Sequence, residues 1–192
     1  MAQLLPNGRP ADVRGRRIVL AAHCLLNANA KVEGLSEYAG VHPIVGELSA
    51  RGVGIVQMPC AEFGACGMAR WGQVREQYEN PAFIGYCESL ADDALDLVAE
   101  YQRCGYEVLG VIGIDGSPTC GVNRSASGPA WGGEPGAERW GQVVSSSEAS
   151  SLPGIHMVAL QDRLAPLGVR FTAIDESVDG HHVQRALGEL GL

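Results

Sequence analysis

Glu107-Val108-Leu109-Gly110-Val111-Ile112-Gly113-Ile114, followed at once by Asp115-Gly116-Ser117-Pro118-Thr119-Cys120-Gly121, decides the fold. The first run is almost wholly apolar, as a strand covered on both faces must be, and the turn residues after it bring it to a stop. Working back from it, Asn80-Pro81 opens the clearest helical pattern, with Asn as cap and Pro in the first turn. Ile84, Cys87, Leu90, Ala91, Ala94, Leu95, Val98 and Tyr101 recur at helical spacing, and Gly105 supplies the stop. Further back, residues 53–58 and 18–24 read as strands, with a helix from Pro43 to Arg51 between them and Gly52 just beyond it. Forward, a helix is expected over 152–164, a strand over 169–174 and a last helix over 179–190. Strands alternating with helices predict a three-layer α/β domain with a mainly parallel sheet of four to five strands.

The 192 residues fit a single domain over 1–192, and an apolar share of 46% is enough for a sizeable core. Residues 1–14, with Pro6, Gly8 and Pro10, form a loose lead-in. Residues 123–150 are rich in Gly, Ser, Pro and Trp, and their length without periodicity predicts a lid or a mobile loop. A net charge of −8 argues against a nucleic-acid partner, whose phosphates demand a basic patch. No stretch approaches the ~20 apolar residues of a membrane span. Arg16-Arg17, the apolar run and Ala28-Asn29-Ala30 imitate a signal peptide. His23, Cys24 and Asn27 interrupt that pattern, so the segment reads as the first core strand of a cytoplasmic protein.

Six cysteines raise a disulfide framework, but such frameworks serve small secreted domains that lack a core. Three of them instead follow three separate strands: Cys24, Cys60 and Cys120. In a parallel sheet the carboxyl ends lie side by side and face the ligand crevice, so these thiols converge there. With no CxxC pair, the set suits a metal centre with an open position, either a catalytic zinc or a four-iron cluster, and spacing leaves both open. Cys87 on the apolar helical stripe and Cys104 at its end read as structural, whereas Cys66 is a possible fourth ligand or reactive thiol. Glu62, on an extended loop two residues from Cys60, can aim a carboxylate at the same pocket as general base, or merely be solvated. Ser117 can hydrogen-bond a substrate or its own turn. His23 reads as a core residue or a support for a ligand. Asn27, Asn29 and Lys31 follow Cys24 as candidate pocket-lining residues, Asn27 as the substrate-binding one.

His-Cys-Leu-Leu-Asn at 23–27, Pro-Cys-Ala-Glu at 59–62 and Gly-Ser-Pro-Thr-Cys-Gly-Val at 116–122 resemble the signatures of the thiouracil desulfidase family and its relatives. The resemblance covers roughly residues 18–123, and the last motif is the most specific. It implies a Rossmann-like fold and a [4Fe-4S] cluster held by Cys24, Cys60 and Cys120, with one iron open, zinc being the fallback metal. It also implies Glu62 as the catalytic carboxylate and Ser117 as the pocket serine. Ala61 stands where members often carry proline, and the loop from Asn27 to Gly40 is longer than in the thiouracil enzymes. The activity implied is redox-neutral desulfurisation of a small thiolated compound, a thiouracil or another thioamide, with C=O replacing C=S and sulfide released. Two other readings remain: a non-catalytic metal- or cluster-containing module that binds or senses sulfur species, and a thiol enzyme using Cys24 or Cys66.

Overall fold

The structure, a computed structural model, describes residues 12–128, 131, 142 and 145–192. In chain order the elements are β1 (Arg17–Ala21), α1 (His23–Leu26), α2 (Pro43–Ala50), β2 (Gly54–Gln57), α3 (Ala61–Cys66), α4 (Arg75–Tyr78), α5 (Pro81–Arg103), β3 (Glu107–Ile114), β4 (Ser125–Ser127), β5 (Glu148–Ser150), α6 (Ile155–Leu164), β6 (Phe171–Ile174) and α7 (Gly180–Leu190). Single 3-10 turns cover Ala28–Ala30 and Ala165–Leu167.

The main sheet has the order β2-β1-β3-β6, and every pairing in it is parallel. β1 and β3 are therefore central, which explains why both are apolar on both faces: Val19, Leu20, Val111 and Ile112 are fully buried. α5 packs against β3 and α6, and α7 packs against β6 and α2, so helices flank the sheet. α5 follows its sequence pattern closely. The Asn80 side chain accepts the Phe83 N–H at 3.0 Å, and Cys87, Ala91 and Val98 form its buried stripe. Gly105, with φ of 75°, ends it in the left-handed conformation that suits glycine.

Three boundaries differ from the sequence reading. The first strand ends at Ala21, and Cys24 lies in the one-turn helix α1 rather than at a strand end. The loop expected around Cys60 and Glu62 is the short helix α3. α6 begins at Ile155 rather than 152, because the chain before it is pressed onto another loop: a Cβ on Gly154 would lie 2.8 Å from the Cys120 nitrogen. Of the 1–14 lead-in, residues 12–14 are exposed and without regular structure, and 1–11 lie outside the described residues. Within 123–150, β4 and β5 pair as a two-stranded antiparallel ladder that periodicity did not reveal. Residues 129–130, 132–141 and 143–144, where the lid was expected, lie outside the described residues. Among the described residues, no helix is long and apolar enough to cross a membrane.

Candidate active site

The parallel ladder runs right up to the candidate ligands. The Ala22 N–H donates to the Ile112 carbonyl at 2.9 Å and the Met58 N–H to the Ala21 carbonyl at 2.9 Å. The chain then leaves the sheet at Cys24 and Cys60 on one edge, and the segment after β3 folds back so that the Ile114 N–H donates to the Cys120 carbonyl at 3.0 Å. Cys24, Cys60 and Cys120 consequently line one cavity of about 420 Å³, together with Glu62 and Ser117. It lies at the carboxyl edge, where parallel sheets bind ligands.

Each cysteine is fixed by a different local device. Cys24 rides on α1, and its carbonyl accepts the Tyr38 hydroxyl at 3.1 Å. Cys60 caps α3, its Sγ accepting the Phe63 N–H at 3.4 Å. Cys120 sits in a turn organised by Ser117, whose Oγ accepts the Thr119 N–H at 3.3 Å and the Cys120 N–H at 3.0 Å. The start of α6 holds the same turn from outside. The Ile155 N–H donates to the Pro118 carbonyl at 3.1 Å and the Met157 N–H to the Thr119 carbonyl at 3.0 Å. Gly113 and Gly154 permit this packing, since a Cβ on the first would strike the Cys120 carbonyl and on the second the Thr119 backbone.

The thiols also sense one another. Burial pushes Cys24 up to about 12, and the nearby Cys60 adds to the effect. Burial raises Cys60, with the Glu62 charge contributing, although the Phe63 N–H works in the other direction. Cys120 is raised well above an ordinary thiol by burial first, then by Cys60 and Cys24. Three dehydrated thiols that resist ionising beside one another suit a cationic centre, whose charge would favour their deprotonation. Among the described residues, however, no three His, Cys, Asp or Glu side chains are grouped as a single metal ion would need. The donor set is soft and shared by one cavity.

Glu62 occupies the first turn of α3 and is buried. Both its oxygens are engaged: the Thr119 hydroxyl donates to Oε1 at 2.8 Å, and Arg70 Nε donates to Oε2 at 3.3 Å. Arg70 is buried too, and its terminal nitrogens donate to the Ala30 carbonyl at 2.7 Å and the Gly67 carbonyl at 3.1 Å. The carboxylate is thus aimed by neighbours rather than solvated. Arg70 and Thr119, the two braces of Glu62, were not singled out from the sequence, although Thr119 stands beside Cys120 in the most specific motif.

The other candidates separate cleanly. Asn27 does not line the cavity; its Oδ1 accepts the Asn29 N–H at 3.1 Å and caps the 3-10 turn. Lys31 does line it, as does Glu176, which follows β6 and so comes from the carboxyl end of the fourth strand. His23 stays out of the cavity and stacks on Phe63 at 6.3 Å between ring centroids. Cys66 is exposed and outside the lining, Cys87 is buried in the core, and Cys104 is exposed at the end of α5. All six cysteines are free thiols.

Fold and site together define a parallel α/β protein with a three-cysteine cavity and a braced carboxylate at the strand ends. The chain belongs to the same family as the uncharacterized protein MJ0003 of Methanocaldococcus jannaschii, with 32% identity over 114 residues, 59% of this chain and 72% of that protein. No protein-family model matches the sequence. The solved structure of TudS, a [4Fe-4S]-dependent thiouracil desulfidase, superposes over 91% of this chain and 98% of its own with a TM-score of 0.53. Identity there is 16%, so this likeness establishes the shared fold.

Proposed function

We propose that this protein is a [4Fe-4S]-dependent desulfidase that replaces C=S by C=O in a small thiocarbonyl compound. The observation that carries the reading is the meeting of Cys24, Cys60, Cys120, Glu62 and Ser117 in one cavity. The fold shared with TudS, a [4Fe-4S]-dependent thiouracil desulfidase, supports it. Cys24, Cys60 and Cys120, soft donors from three strand ends that line one cavity, would hold the cluster. When bound, such a centre with an open iron supplies Lewis acidity toward a thiocarbonyl sulfur.

The chain's own residues handle the protons and the substrate. Glu62 is held at both oxygens, so it can accept a proton from water attacking the thiocarbonyl carbon without first reorienting. Ser117 Oγ accepts two backbone N–H groups and lies 3.4 Å from Thr119 Oγ1, whose own proton goes to Glu62, so the Ser117 hydroxyl donates into that long contact and can turn from it to substrate. Overall, one water enters, hydrogen sulfide leaves and no electron is transferred. Sulfide release from a thioamide panel by protein loaded without oxygen tests the reading. Glu62→Gln is expected to lower kcat by about a hundredfold or more while leaving iron content unchanged. Sulfur binding that is indifferent to Glu62→Gln, with no sulfide released by the parent protein, would point instead to a non-catalytic sulfur-binding module.

A further inference from the structure

Lys31 and Glu176 have no part in the proton handling just described, yet they form an ion pair inside the same cavity. The Lys31 side chain is only 6% exposed and that of Glu176 33%. Setting two charges in so sheltered a place is weak evidence for stability, since apolar residues of similar size often serve as well. The pair is also held from behind. The Lys31 ammonium lies 4.6 Å from the centroid of the Tyr38 ring, and the Tyr38 hydroxyl is tied to the Cys24 carbonyl. Beside Glu176, the Ser177 carbonyl lies 3.3 Å from Nε2 of the fully buried His42. Nδ1 of that ring accepts the Ile44 N–H, so Nε2 is the donor.

The unused hydrogen-bonding capacity shows what the pair can recognise. An ammonium has three N–H donors. Among the described residues its hydrogen-bond partner is Glu176 Oε2, and Oε1 of Glu176 has none. An unspent N–H and an unspent carboxylate oxygen therefore stand side by side in a cavity. That couple complements an amide-type edge, in which a carbonyl oxygen sits beside an N–H. We infer that Lys31 and Glu176 are a specificity pair that reads such an edge, so that the ligand carries an amide-type edge in addition to its thiocarbonyl carbon. That the ligand also carries a thiocarbonyl carbon rests on the desulfidase reading, whereas recognition of the edge rests on the cavity alone.

Calorimetric titration with uracil tests this on both metal-free and cluster-loaded protein, because uracil has the edge and no sulfur. Doubly N-methylated uracil, which lacks any N–H, is the control. The parent protein is expected to bind uracil at least about tenfold more tightly than the methylated compound. Lys31→Met and Glu176→Leu should each abolish that preference, with binding of the methylated compound unchanged. Glu176→Gln, which keeps an acceptor oxygen, should retain most of it. Equal binding of the two compounds by the parent protein, no binding of uracil, or equal weakening of both compounds in the variants would overturn the inference. Uracil preference without sulfide release from thiouracil would sustain the inference and count against the desulfidase reading.

Discussion

Removing the Arg70 guanidinium puts the braced carboxylate to its hardest test. Arg70→Met keeps an apolar stem of similar length but deletes the bonds to Glu62, to the Ala30 carbonyl and to the Gly67 carbonyl. The Arg70 and Glu62 side chains are only 4% and 10% exposed, so water does not readily replace the lost partner. Glu62 is then a buried charge with the Thr119 hydroxyl as its remaining hydrogen bond. Breaking a buried pair from one side costs about 3–5 kcal/mol. At roughly 2–4 °C per kcal/mol for a chain of this size, Tm should fall by about 6–20 °C. Glu62→Gln in the same background removes the stranded charge, so the double variant should recover on the order of 1–3 kcal/mol. Urea denaturation of metal-free protein at neutral pH, across all four members of the cycle, measures both quantities. A cost below about 1 kcal/mol for Arg70→Met, or an additive cycle, would refute the picture of a carboxylate held in place by its buried partner.

Other consequences follow from the same packing. Gly154→Val places side-chain atoms against the Thr119 backbone and should cost about 1–3 kcal/mol, with weaker iron binding as the Cys120 turn shifts; denaturant melts and iron titration read the two effects. His156 is buried, and among the described residues neither ring nitrogen has a partner, so burial lowers it to about 4. The unfolded chain, with an ordinary histidine near 6.5, binds more protons between those values. The stability contributed by the neutral ring is therefore complete above pH 6.5 and lost as pH falls toward 4, by about 3 kcal/mol in all. His156→Leu should flatten that slope in melts taken across the window, and an unchanged slope would mean that other groups carry it.

The sequence disclosed those parts of the fold that local chemistry specifies. β3 was legible because a strand buried on both faces admits almost nothing polar, and α5 because its cap, stripe and stop all agree. The convergence of three cysteines followed from topology alone. α1 was hidden because His23–Leu26 continues an apolar run with no breaker, so the chain turns helical without a local signal. α3 was masked by Gly64 and Gly67, whereas its actual start is signalled by a cysteine acting as cap, an unusual choice. β4 and β5 are three residues each, too short for alternation to register. Within the site, Glu62 was visible by its nearness to Cys60, but its braces were not. Arg70 reaches it by side-chain length, Thr119 comes from another strand end, and Glu176 meets Lys31 across 145 residues. Glu176 was nonetheless accessible in principle, since it follows β6 at the same edge as the cysteines.

Iron and acid-labile sulfide content, measured on protein purified without oxygen, test the central claim most directly. The account predicts about four irons and four sulfides per chain, lost in Cys24→Ala, Cys60→Ala and Cys120→Ala and kept in Cys66→Ala. One zinc per chain, or an iron content that survives loss of any of the first three cysteines, would contradict it.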